Sequence, residues 1–329
     1  MKLLVLGGTG FVGRAVVEAG RARGDQVTVF NRGRLAPPPG VSVLVGDRTA
    51  PDGLVPLAGD ARWDLVVDTW SAAPSVVRDA VAVLAGRVGR YAYVSSRSVY
   101  TFPLKPGLDE GGPVVEASAD SGAEVDYAQA KRGGELAALV GFGDRALLVR
   151  AGLILGPHED VGRLPWWLSR IARGGPVLAP GPAELGVQYI DARDLADWTL
   201  AAADRGLGGP YNVVGPPDAT TMGELLENCV RVTGSTAQLR WIAPEVILAA
   251  GVEPWIELPI WLPPGADRDG VFGGDVRKVL GEGLRCRPIA ETVADTWTWL
   301  RSLDGRAPQR SDRPRVGLDP VVEARLLGR

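Results

Sequence analysis

The opening stretch constrains the fold more tightly than any other part of the chain. Residues 3–6 are a continuous apolar run, the pattern of a strand buried on both faces, and they lead directly into GGTGFVG. Gly7, Gly10 and Gly13 stand three apart. A helical pattern follows through Ala15, Val16, Val17 and Ala19, ended by Gly20 or Gly24, and then a second strand at residues 27–30. Such a βαβ unit lets the backbone approach a pyrophosphate closely, while the helix N-terminus offers free N–H groups and a positive dipole end. We read it as a dinucleotide site rather than a tight structural turn. Gly7, Thr9, Gly10, Phe11, Val12 and Gly13 are its candidate contacts.

Which dinucleotide binds is read at the end of the second strand. An NAD site commonly places Asp or Glu there for the ribose hydroxyls. Here the chain reads Asn31-Arg32-Gly33-Arg34. No carboxylate repels a 2′-phosphate, and Arg32 and Arg34 can pair with one. NADP(H) is therefore favoured, with NAD(H) the alternative. Further strands at 41–45, 65–67 and 91–94 end in polar residues: Asp47 and Arg48, then Thr69 and Trp70, then Ser95 and Ser96. In open parallel sheets ligands sit outside the carboxyl ends of the strands, so these residues are expected to face one crevice, with Asp47 at the adenine.

Bulk properties exclude several function classes. The 329 residues suit one large domain or two intimate ones. With 36 Lys and Arg against 39 Asp and Glu, the net charge of −3 gives no electrostatic reason to seek nucleic acid or an anionic membrane. Cys229 and Cys286 are far apart and His158 is the one histidine, which argues against a zinc site and fits a reducing compartment. The apolar stretch after Met1-Lys2 is too short for a signal peptide, and no stretch reaches the ~18 apolar residues of a membrane span. A cytoplasmic location is expected.

The segment DYAQAK, residues 126–131, places Tyr127 and Lys131 on one helix face at i and i+4. A free tyrosine titrates near ~10, and a nearby ammonium favours its phenolate. With the glycine turn, YVSSRSVY (93–100), VRAGLILGP (149–157) and VQYIDARDLADW (187–198), this segment resembles the extended short-chain dehydrogenase/reductases, the NAD-dependent epimerase/dehydratase superfamily. The resemblance covers nearly the whole chain. It implies an α/β fold, a Rossmann-type doubly wound parallel sheet with a smaller C-terminal substrate-binding domain. It also implies that Ser96 holds the substrate oxygen, that Tyr127 is the acid/base and that Lys131 is its partner on the nicotinamide ribose. Thr69, Trp70, Ser95 and Gly152 join the expected cofactor contacts, and relatives commonly dimerise through a helix pair that includes the one carrying Tyr127.

The expected division is 1–158 with 187–215 for the dinucleotide, 159–186 with 216–303 for substrate, and a tail helix within 304–329, capped by Asp319 before Pro320. Residues 101–125, rich in Gly, Pro and acids, are expected to form a substrate lid. Arg97, His158, Trp166 and Trp167 are the candidate substrate contacts, with Trp241, Trp255 and Trp261 in a Pro-rich stretch of the same region.

Three functions follow. The leading one is an NADP(H)-dependent oxidoreductase acting on a small-molecule carbonyl or alcohol, with Tyr127 moving the proton. The second is a sugar epimerase with retained NAD. Where those enzymes carry a phosphate-binding asparagine this chain has Ala151-Gly152-Leu153, and Ser96-Arg97-Ser98 lacks the acidic pair of the dehydratases. The third is a silent dinucleotide-binding relative, which the presence of Ser96, Tyr127 and Lys131 disfavours. The abundance of Ala, Gly, Arg and Val suggests a GC-rich bacterial source and specialised metabolism.

Overall fold

The computed structural model describes residues 1–306, 309–310 and 313–328. The first half alternates strand and helix: β1 (Lys2–Leu6), α1 (Phe11–Ala22), β2 (Gln26–Asn31), β3 (Ser42–Val45), β4 (Trp63–Asp68), α2 (Pro74–Leu84) and β5 (Val88–Ser96). After a long connection come α3 (Tyr127–Phe142), β6 (Ala146–Ala151), β7 (Leu153–Leu155), α4 (Arg163–Ala172), β8 (Pro176–Pro180) and β9 (Tyr189–Asp191). The rest holds α5 (Ala192–Asp204), β10 (Gly209–Val213), α6 (Met222–Thr233), β11 (Gln238–Ile242) and α7 (Pro244–Ala249). The helices α8 (Ala266–Phe272), α9 (Arg277–Gly281), α10 (Ile289–Arg301) and α11 (Pro320–Leu326) complete it.

Seven strands form one parallel sheet in the order β10-β6-β5-β4-β1-β2-β3. The order reverses beside β1, which lies between β2 and β4, so the crevice outside its carboxyl end is the switch point of a doubly wound Rossmann sheet. Alternate side chains of each strand serve opposite faces. Leu3, Val5, Val29 and Val67 pack with α1 and α5, whereas Leu4, Leu6, Phe30 and Val66 pack with α2 and α3. A separate core gathers Trp167, Leu178, Leu226, Ile247 and Trp261 from the later elements. There β8 pairs with β11, and β7 pairs with β9. Among the described residues no helix is long and apolar enough to cross a membrane.

Buried charge ties these layers together. Glu135 on α3, fully buried, accepts two bonds from Arg150 of β6 at 2.8 and 2.9 Å, one from Arg132 at 2.9 Å and one from the Ser95 hydroxyl at 2.7 Å. At the end of β4, Asp68 accepts two bonds from Arg48 at 2.7 and 2.8 Å and one from the Tyr91 hydroxyl at 2.5 Å. Burial works to raise the Asp68 carboxyl, but the Arg48 charge and the hydrogen bonds from Arg48, the Tyr91 hydroxyl and the Trp70 N–H together outweigh it and hold the carboxyl below its usual range. Asp319 caps the tail helix, whose Glu323 accepts bonds from Arg170 at 2.7 and 2.8 Å and from the Leu178 N–H at 3.1 Å. The tail thus docks on the body of its own chain.

The connection at 101–125 is not a free lid. Gly107 N donates to Gly273 O at 2.6 Å, Leu108 O accepts from Asp275 N at 3.1 Å, and the Glu110 carboxylate accepts from Asn212 N at 2.8 Å. These bonds pin its middle, while Phe102 stays exposed.

Removing one partner of a buried ion pair leaves the other uncompensated, a cost of about 3–5 kcal/mol. Glu135→Ala is therefore expected to lose about that much in equilibrium urea unfolding. A loss under about 1 kcal/mol would show that water reaches the network.

Candidate active site

The glycine turn is built for close approach. Gly7 has φ +123°, and a Cβ there would sit 2.5 Å from the Thr69 Oγ1. A Cβ on Gly13 would lie 2.6 Å from the Gly8 nitrogen, so only glycine lets α1 start so near β1. Gly10 caps α1 without offering a side-chain acceptor to its first N–H groups. Thr9 sits in the turn, half-buried. At the end of β2, Asn31 accepts from the Gly33 N–H at 2.7 Å, while its Nδ2 is buried without a hydrogen-bond partner. Arg32 and Arg34 are exposed, with no ion pair among the described residues. Bonds from the Thr49 hydroxyl and N–H hold the Asp47 carboxyl below its usual range, helped by the charges of Arg32 and Arg34. Glycines that exclude a Cβ, an orphaned amide and unpaired guanidiniums together fit a phosphate-bearing dinucleotide.

The turn opens into a cavity of about 680 Å³. Gly7, Gly10, Phe11, Val12, Gly13, Thr69, Ser95, Ser96, Tyr127, Lys131 and Gly152 all line it. Ser96 ends β5, and its hydroxyl accepts from the Ser98 N–H at 3.1 Å and lies 3.1 Å from the Ser98 hydroxyl. Tyr127 opens α3 because Asp126 and Gln129 form a reciprocal cap there, each side chain bonding the other's backbone N–H. Its ring is more than a third exposed to the cavity, and the Arg313 guanidinium lies 4.7 Å from the ring centroid.

One turn later, Lys131 is buried. Its Nζ donates to the carbonyls of Trp70 and Val94, both at 2.6 Å, and lies 5.0 Å from the Tyr93 ring centroid. Burial pushes the ammonium down to about 7; the Asp68 charge opposes the shift and Arg313 and Arg310 add to it. An ammonium has three donors, so one N–H remains for the cavity.

Several sequence expectations are corrected. Arg48 turns inward onto Asp68 and lies 5.2 Å from the Trp70 ring centroid, so it braces the sheet rather than reaching for cofactor. Trp70 contributes its carbonyl to Lys131, while its indole N–H donates to Ala73 O at 3.0 Å. Arg97 lines the cavity but is 5% exposed, donating to Val271 O at 2.7 Å, Gly270 O at 3.2 Å and Gln188 Oε1 at 3.2 Å. These bonds clamp the end of β5 to α8. The His158 ring lies tilted against Trp299, centroids 5.2 Å apart, and is not part of the cavity lining. Trp167 is fully buried and donates to Pro259 O at 2.7 Å; Trp166 packs edge-on to it and against Gly317. Trp167 belongs to the second core because α4 turns its apolar face inward, and half-buried Trp166 packs against that core.

Of the tryptophans in the Pro-rich stretch, Trp255 lines the cavity; Arg163 and Arg313, which also line it, were not singled out from sequence. No period or motif marks them, since they converge from segments remote from one another in the chain.

Comparison with known proteins agrees with this geometry. The family model described as the NAD dependent epimerase/dehydratase family matches residues 3–214. The epimerase family protein SDR39U1 of Bos taurus is 28% identical over 245 residues, 68% of this chain and 78% of that protein. The 2′-dehydrokanamycin reductase of Streptomyces kanamyceticus is 32% identical over 220 residues, 63% of this chain and 60% of that one. The Bordetella bronchiseptica enzyme WbmH, solved in complex with NAD+, shares the fold at a TM-score of 0.69 and 19% identity, covering 91% of this chain and 98% of its own. The glycine turn, the parallel sheet and the match over most of the chain place this protein in the NAD-dependent epimerase/dehydratase family.

Proposed function

We propose that the protein is an NADP(H)-dependent oxidoreductase that interconverts a small-molecule carbonyl and its alcohol. The observation that carries this reading is that Ser96, Tyr127 and Lys131 line the same cavity as the glycine turn. The carboxylate-free sequence Asn31-Arg32-Gly33-Arg34, with its orphaned Asn31 amide, supports the 2′-phosphorylated cofactor. Two relatives carry reductase names, the Streptomyces protein and an isoflavone reductase homolog from Zea mays.

A bound nicotinamide supplies or takes up the hydride. The chain's own residues manage the oxygen. In reduction, the Ser96 hydroxyl donates to the substrate carbonyl while Tyr127 gives its phenolic proton to that oxygen as it becomes an alcohol. Lys131, held by two carbonyls, turns its remaining N–H to the ribose hydroxyls and favours the phenolate left on Tyr127. In oxidation the proton returns by the same route.

Epimerisation is the second reading, favoured by structural neighbours solved with NAD. Against it, a Cβ on Gly152 would meet Val214 Cγ2 at 2.6 Å, so the phosphate-holding asparagine of the sugar epimerases has no room there.

Tyr127→Phe is expected to cut turnover by about 10²–10⁴-fold while leaving the NADPH Kd near wild type; near-normal turnover would remove Tyr127 from the chemistry. Arg32→Ala combined with Arg34→Ala should weaken NADPH by about 10–100-fold and leave NADH nearly unchanged, read by fluorescence titration. An equal loss for both cofactors would end the case for 2′-phosphate recognition. In the free protein Lys131 keeps its proton below about 7 and loses it above. The kcat/KM for NADPH should therefore fall as pH rises through about 7, and Lys131→Met should abolish that step while lowering the whole profile. A wild-type profile flat through this range would contradict the assignment.

A further inference from the structure

The cavity lining is strongly unbalanced in charge. Arg97, Lys131, Arg163, Arg310 and Arg313 face it, against the single carboxylate of Asp160. Arg97 and Lys131 are occupied by carbonyls. Arg163 is not so provided for. It opens α4 with its guanidinium 5.3 Å from the Trp255 ring centroid, and its Nε is buried without a hydrogen-bond partner. Neither Arg163 nor Arg313 forms an ion pair among the described residues.

The nearest acids serve elsewhere. Both Glu159 oxygens are spent on the backbone N–H groups of Arg163 at 2.7 Å and Leu164 at 3.2 Å, and burial pushes that carboxyl up to about 7. The Asp160 carboxylate points toward the glycine turn, 3.8 Å from where a Cβ of Gly10 would stand. A guanidinium stacked on tryptophan gains roughly 0.5–2 kcal/mol. Arg163 as a whole is half-buried, but its Nε is sealed from water, and an unmet buried donor costs about 1–3 kcal/mol. Stacking on tryptophan therefore does not supply the partner that the Arg163 Nε lacks.

Position separates this pair from the cofactor site. Arg163 and Trp255 belong to the later elements that form the second core, and Leu262 and Val271 continue the same wall. Arg163 also lies close enough to feel the charges of Tyr127 and Arg313, so the two guanidiniums flank the proposed acid/base. Building on the oxidoreductase reading, we infer that the substrate carries an oxyanion group, a carboxylate or phosphate, which Arg163 and Arg313 hold beside Tyr127 while Trp255 packs on its flat body. The planar fork of arginine suits either group. A neutral ketone would leave the buried Arg163 Nε without a partner, so the site selects against it.

The test is calorimetric and needs no turnover. Protein saturated with NADP⁺ is titrated with benzoate, phenyl phosphate and the neutral isostere benzamide. At least one anion should bind about tenfold or more tightly than benzamide. Arg163→Met should remove that preference, Arg163→Lys should keep part of it, and the NADP⁺ Kd should stay within about twofold in both. Which anion wins tells carboxylate from phosphate. Equal binding of all three probes, or no anion binding at about 10 mM, overturns the inference through the wild-type protein alone. An Arg163→Met protein that loses NADP⁺ tenfold also overturns it, by assigning the cation to the cofactor. A protein that binds neither NADP⁺ nor NAD⁺ overturns the oxidoreductase reading instead, and the anion preference is then read without cofactor.

Discussion

The buried ammonium of Lys131 is the contact on which the cavity depends. It joins three elements at one point: α3, which carries it; the Trp70 carbonyl just past β4; and the Val94 carbonyl within β5. A lysine would ordinarily extend to water, and burying its charge is costly. Two carbonyls, a tyrosine face and the Asp68 carboxylate nearby offset part of that cost, and burial still pushes the ammonium down to about 7. Because the ammonium grips the strand ends, the first turn of α3 lies against the crevice, and Tyr127 lines the same cavity as Ser96.

That arrangement rests on a second layer of charge. Asp68 and Glu135 are fully buried, and each is satisfied by an arginine in two-point contact and by a hydroxyl. Arg48 and Arg150 come from loop and strand positions where a surface charge would be unremarkable. Here they lock the carboxyl ends of β4 and β6 to their neighbours. Arg97 does similar work with carbonyls alone, clamping β5 to α8. The cavity thus has a floor of compensated charge and a far wall, at Arg163 and Arg313, where compensation is left to whatever binds. A stable fold tolerates that wall because only one or two groups bear its cost, while Asp68 and Glu135 are paired with arginines.

Much of this was legible in the chain. The apolar run of β1, the glycine spacing and the alternation of strands and helices lead to the doubly wound sheet, because hydrophobic period and turn chemistry are local properties. The same holds for the Asp319 cap and for Tyr127 and Lys131 sharing a helix face. Residues whose role depends on distant partners were misread. Arg48 seemed a cofactor contact, because nothing local reveals that Asp68 lies within reach of it in the fold. His158, Trp166 and Trp167 follow the late strand, as substrate contacts are expected to, but α4 turns Trp167 into the second core with Trp166 packed against it, and His158 turns onto Trp299. The connection at 101–125 reads as a lid by composition, whereas its bonds to Asn212, Gly273 and Asp275 hold it to the body.

What the sequence determines by itself is therefore the family fold, the glycine cradle and the residues able to move a proton, since each is written in contiguous or regularly spaced residues. Tertiary structure decides which charges are spent on holding the sheet and which remain for a ligand. Arg48, Arg97, Arg163 and Arg313 are alike as letters in the chain. They differ in whether folding brings a carboxylate, a carbonyl or only an aromatic face within about 3–6 Å, and in a buried site that difference separates a brace from a binding group.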